Sequence, residues 1–154
     1  MTLPLWCLFF SAVLIFLAKI PVAKAMATEG GGRYDNHHPR AQQARLTGFG
    51  ARALAAHQNS FEAFPLFAAG VLVAHVTQSQ GVLVDAAAVL FVIARVLYLL
   101  LYWIDLAWQR SLVWVVGLLC SLLLMLSPLL LACSPCTRRI TRPCWVNFTA
   151  LSSR

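Results

Sequence analysis

Four stretches of this chain stay apolar for the twenty or so residues that a helix needs to cross a bilayer. They run from Leu3 to about Val22, Arg52 to about Val76, Val82 to about Ile104, and Ser111 to about Ala132. Of the 154 residues, 60% are hydrophobic and only 11% charged, whereas ordinary soluble domains carry about 25% charge. The sequence therefore predicts an all-α integral membrane protein: a four-transmembrane-helix bundle over residues 1–131, followed by a basic tail over 132–154 that contains Cys, Ser and Thr. Its net charge of +7 does not point to a nucleic-acid partner. The basic residues flank apolar runs and do not interleave with aromatics, as positive juxtamembrane loops do.

The first and second segments are separated by a polar, glycine-rich connection with Pro39 and the run Gly30-Gly31-Gly32, which breaks helical continuity. The other links are short, about Thr77 to Gly81 and Asp105 to Arg110, so the last three segments are expected to be antiparallel neighbours. A secretory signal ending at Ala23-Lys24-Ala25 is the rival reading of the first segment. Against it, no Lys or Arg precedes the apolar run and the run is long, so the segment is kept as a helix. Lys19, Lys24, Arg33, Arg40, Arg45 and Arg110 share one side in a four-span topology, which predicts that the loop after the first helix is cytoplasmic. Arg138, Arg139, Arg142 and Arg154 of the tail oppose that count.

Cys7 and Cys120 lie inside apolar segments, where cysteine behaves as a small hydrophobe, and Cys133-x-x-Cys136 has no second pair to complete a zinc set. His37-His38 reads as a solvated loop, since adjacent residues do not converge on one ion unaided. No metal is expected. Trp103, Trp108 and Trp114 flank the last short link and read as interfacial anchors. Asn147-Phe148-Thr149 is a glycosylation sequon whose use depends on an unknown compartment.

The chemistry lies in two polar stripes. On a 3.6-residue period Arg52, Ala55, Asn59 and Glu62 fall within a wedge of about 80°, with His57 and His75 roughly opposite. Arg95, Tyr98, Tyr102 and Asp105 repeat the same spacing in the third segment. An ionic side chain near the middle of a spanning helix costs about 2.5 to 3.5 kcal/mol and faces the bundle interior or a wet cavity. Interhelical hydrogen bonds alone could account for the stripes, at about 0.6 kcal/mol each. Their number instead suggests a pocket for a charged molecule between the second and third helices, with Pro65 placed to bend the wall after Glu62. Ala68, Ala69, Gly70 and Ala74 permit close helix approach.

Arg52-x-x-x-Ala56-His57-x-Asn59-x-x-Glu62-x-x-Pro65-x-Phe67, with Ala94-Arg95-x-x-Tyr98-x-x-x-Tyr102 and Arg110-Ser111, resembles the MAPEG family, membrane-associated proteins in eicosanoid and glutathione metabolism. The resemblance covers about residues 1 to 131. It implies a homotrimer of four-helix protomers that holds glutathione as co-substrate between neighbours near the cytoplasmic face, while a lipophilic small molecule arrives through membrane lipid. Asn59, Glu62, Arg95, Tyr98 and Tyr102 match positions that line the glutathione site, and Arg110 resembles, with a shift of one residue, the arginine that stabilises the thiolate. A nearby cation lowers a thiol's pKa, and carboxylates suit bidentate arginine. The sequence departs from the glutathione-using members at Ala55, where a basic residue is expected. Arg52, one turn earlier, is a candidate to supply the missing charge.

The leading expectation is thus glutathione binding with conjugation or reduction of a lipophilic electrophile, as in a glutathione S-transferase or peroxidase. A non-catalytic lipid-binding or scaffold protein of the same fold also fits the gap at Ala55, which occurs in the family's non-enzymatic, fatty-acid-binding branch. A small transporter whose polar stripes line a path is the third reading.

Overall fold

The computed structural model describes residues 2–29 and 33–132. The Gly30-Gly31-Gly32 run, the Cys133-x-x-Cys136 pair, the sequon and the rest of the tail lie outside the described residues. The described residues form five helices: α1 Leu3–Glu29, α2 Pro39–Gln43, α3 Gly48–Val76, α4 Val82–Trp103 and α5 Ala107–Ala132. All but the five-residue α2 are long and apolar enough to cross a membrane, as the apolar runs predict.

The helix ends depart from the sequence limits for identifiable reasons. α1 continues seven residues past Val22 because Ala25 and Met26 are buried against Leu46 and Ala53, beneath a loop that folds back over them. Gln42 fastens that loop. Its Nε2 donates to the Met26 and Arg33 carbonyls, both at 2.9 Å, and its Oε1 accepts from the Asp35 N–H. α3 starts at Gly48, four residues before the apolar run, where Glu29 Oε2 accepts from the backbone N–H of Thr47 at 2.8 Å.

Both short turns close as Schellman motifs. After α3, the Gln78 N–H donates to the His75 carbonyl and the Ser79 N–H to the Ala74 carbonyl, with Gln78 at φ 54°. After α4, Asp105 donates to Tyr102 and Leu106 to Leu101, with Asp105 at φ 64°. This motif usually takes glycine at the left-handed position; here Gln and Asp occupy it. The α4–α5 link is consequently only three residues long, and Arg110 lies in the first turn of α5 and not in the loop ahead of it.

α3 packs against α1, α4 and α5, and α4 also packs against α1 and α5. The main core lies between α3, α4 and α5, where the fully buried Phe67 and Phe91 rings stack at 3.8 Å and 5°. Gly70 admits α5: a Cβ there would stand 2.9 Å from the Ser121 carbonyl oxygen and 2.9 Å from Leu124 Cβ. Large apolar side chains such as Phe16, Ile20, Leu72 and Leu119 face outward, as a bilayer solvent requires. Trp108 and Trp114 are exposed as anchors should be. Trp103 is not: it packs inward against the clusters around Ala53 and Ala56.

Candidate functional site

Arg95 organises the site. It is 5% exposed, and its Nη2 donates to Asn59 Oδ1 at 3.1 Å and to Ser60 Oγ at 3.3 Å. Asn59 Nδ2 in turn donates to Glu62 Oε2 at 3.2 Å. On its other flank the guanidinium carbon lies 4.4 Å from the centre of the Tyr98 ring. Tyr98 meets Tyr102 edge to face at 5.6 Å, and Arg110 of α5 lies 4.0 Å over the Tyr102 ring. One continuous line therefore runs Glu62, Asn59, Arg95, Tyr98, Tyr102, Arg110 across three helices. Aromatic faces attract guanidinium ions most where water is scarce, so the two tyrosines hold the two cations apart at fixed positions.

Six of the seven residues expected from the sequence are thus brought together. Arg52 is not among them: its ion pair is with Asp105 at 3.5 Å, which ties the start of α3 to the α4–α5 turn. His57 points the other way, as its angle predicts, and lies edge to face against Phe61 at 5.1 Å. His37 and His38 are exposed, and their backbone N–H groups are held by Asp35 Oδ1 at 2.8 and 3.1 Å. Among the described residues no group of three or more His, Cys, Asp or Glu converges on a metal position.

A groove of about 170 Å³ opens beside this line. Asn59, Glu62 and Arg95 form its polar wall, and Ala63, Leu66, Phe91, Trp114, Gly117 and Leu118 its apolar one. The sequence suggested a pocket between the second and third spanning helices; α5 supplies the third side, through Trp114, Gly117 and Ser121. α3 runs on without a break through Pro65.

Glu62 is the central residue of α3 and is exposed on the surface of the protomer. Among the described residues it accepts one side-chain hydrogen bond, from Asn59 Nδ2, which leaves most of the carboxylate's acceptor capacity open. Arg95 also retains capacity. A guanidinium has five N–H donors, and among the described residues only Nη2 makes hydrogen bonds. The site can therefore receive an anion at Arg95 and a donor at Glu62, next to an apolar wall.

Ser60 escaped the sequence reading. It lies one residue past Asn59, outside the wedge, and reaches Arg95 because the guanidinium sits between the two side chains. Trp114, Gly117 and Leu118 of α5 carry no polar signal and could be found only from the packing.

The model of the MAPEG family matches residues 3–130. The chain belongs to the MAPEG family. No curated protein and no solved structure gives a significant match. The MAPEG match spans all four membrane helices and every residue of the polar line, and it ends before the basic tail.

Proposed function

We propose that this MAPEG protein binds glutathione at the Arg95 line and conjugates or reduces a lipophilic electrophile reaching the groove from the bilayer. The observation that carries this reading is the buried guanidinium of Arg95, fixed by Asn59 and Ser60 yet with donors to spare, on the wall of a groove whose other side is apolar. Arg95 would take a carboxylate through charge-assisted hydrogen bonds, and Glu62 would accept from the ligand's ammonium group. Arg110 would favour thiolate over thiol, the proton passing to water, and the thiolate would attack the electrophile.

The groove's 170 Å³ is below the roughly 300 Å³ at which small-molecule pockets begin. One protomer then encloses only part of such a ligand. A neighbouring copy completing the site over Glu62 is the proposed reason for a homotrimer, with the loop between α1 and α3 on the cytoplasmic side.

A second reading rests on Ala55. With no basic residue there, and with Arg52 paired to Asp105, one carboxylate clamp is lacking, which suits a non-catalytic lipid-binding member. Titration of glutathione into the detergent-solubilised protein, followed by calorimetry and by ultraviolet thiolate absorbance, separates the two. Binding with a thiolate signal that R95A and R110A abolish is the expected result. Fatty-acid binding with no glutathione heat favours the second reading, and glutathione binding unaffected by both substitutions overturns the assigned site.

A further inference from the structure

Behind Arg95, on the side away from the groove, lies a second and much smaller cavity of about 10 Å³, lined by Ser11, Leu14 and Ile15 of α1, Ser60 and Phe64 of α3, and Phe91 and Arg95 of α4. About 10 to 15 Å³ is the least space that holds a water molecule, and a retained water needs two to four polar partners. Three are present: the Ser11 hydroxyl, the Ser60 hydroxyl and the Arg95 guanidinium.

Their hydrogen-bonding capacity is the informative part. Ser60 Oγ donates to the Ala56 carbonyl at 2.9 Å and accepts from Arg95, which leaves it one acceptor position. Arg95 has uncommitted N–H groups. Ser11 is 4% exposed, and its Oγ has no hydrogen-bond partner among the described residues. Serines inside apolar helices ordinarily bond back to the carbonyl four residues earlier, as Ser60, Ser111 and Ser121 do here. Ser11 does not.

We infer that a structural water is bound between Ser11, Ser60 and Arg95, making Ser11 a positioning residue that holds the guanidinium from the α1 side. The water accepts from an Arg95 N–H and from the Ser11 O–H and donates to Ser60 Oγ. That satisfies Ser11, which otherwise bears the penalty of a buried unmade bond, and it fixes the plane of the guanidinium whose opposite edge faces the groove. The hydration does not depend on what the groove binds; only its effect on ligand affinity rests on the function proposed above.

The test uses Ser127 as its control. Ser127 is fully buried and its Oγ likewise has no hydrogen-bond partner among the described residues, but it does not line this cavity. S11A and S127A therefore remove the same group from a helix interior, so the change in helix propensity cancels between them. The thermal midpoint of the full chain in detergent is expected to fall in S11A relative to S127A. The side-chain Nε resonance of 15N-labelled Arg95 is expected to shift in S11A and S11V and to stay in place in S127A. Ordered density between Ser11 and Arg95 in a high-resolution structure would agree. A midpoint in S11A equal to or above that of S127A, or an Arg95 resonance indifferent to both S11A and S11V, would overturn the hydrated site without touching the question of glutathione. Absence of glutathione binding to the wild type would overturn the proposed function and leave the hydrated site standing.

Discussion

Arg95 Nη2 lies 3.1 Å from Asn59 Oδ1 and joins the polar stripe of α4 to that of α3 at the level where α5 closes the groove. Interhelical hydrogen bonds of this kind contribute about 0.6 kcal/mol and at most about 1.7 kcal/mol, since the unfolded chain in a membrane finds other partners. A double-mutant cycle over N59A and R95A, read from unfolding in mixed detergent, should give a coupling in that range. R95K is expected to retain part of the stability, since a single nitrogen, Nη2, makes both bonds to Asn59 and Ser60, while losing the further donors of the planar guanidinium that a point-charge ammonium does not offer. If the function proposed above holds, R95K protein folds but binds glutathione at least tenfold more weakly.

Phe67 and Phe91 carry more of the stability than any polar contact. Both rings are fully buried and parallel, so truncation loses dispersion contacts on both faces and leaves a cavity. F67A should cost about 3 to 5 kcal/mol, measured as a loss of unfolding free energy in detergent. F61A makes the comparison: Phe61 is on the same helix but 53% exposed, and its loss should cost the isolated protomer under about 1 kcal/mol.

Gly70 sets the distance between α3 and α5. A methyl group there would meet the Ser121 backbone oxygen at 2.9 Å, and a backbone atom cannot rotate aside as a side chain can. G70A should therefore lower stability by about 1 to 3 kcal/mol and widen the α3–α5 spacing. At Gly117 the nearest atoms to an added Cβ are on the Phe91 ring at 3.8 Å, an ordinary contact, so G117A should leave the unfolding midpoint nearly unchanged. Equal effects of the two substitutions would show that close approach at Gly70 is unimportant.

The fold could be read from the sequence because bilayer thickness imposes a length on each apolar run, and all four runs became helices. Helix ends were less legible. Gln78 and Asp105 adopt the left-handed conformation that a reader assigns to glycine. α1 outlasts its apolar run because Ala25 and Met26 are buried against Leu46 and Ala53, under a loop whose Gln42, sixteen residues beyond Met26, donates to the Met26 carbonyl. Helical angle alone grouped Asn59 with Glu62 on one face of α3 and Arg95 with Tyr98 and Tyr102 on one face of α4, although Glu62 is exposed on the protomer and not interior. The same angle misassigned Arg52, which shares the wedge but lies two turns nearer the α4–α5 link, within reach of Asp105. Ser11, Ser60 and the α5 wall of the groove gave no signal, because what matters about them is which neighbouring helix they face, and that is a property of packing.

Asp35 gives the loop between α1 and α3 a dependence on pH. Its carboxylate accepts the backbone N–H groups of His38 and His37, and these bonds hold its pKa below the ordinary aspartate value of 3.8. The folded value is depressed relative to the unfolded one, so this contribution to loop structure is complete above the unfolded value and is lost as pH falls through the folded value. The window therefore lies below about pH 4, under the range in which free aspartate titrates, and neutral pH should have no effect on it. Amide proton shifts of His37 and His38 should follow Asp35 with one common inflection below pH 3.8, while D35A should remove the inflection and leave both amides at solvent-exposed shifts throughout. Inflections that differ between the two amides, or that fall in the imidazole range, would mean that the histidine rings and not Asp35 govern this turn.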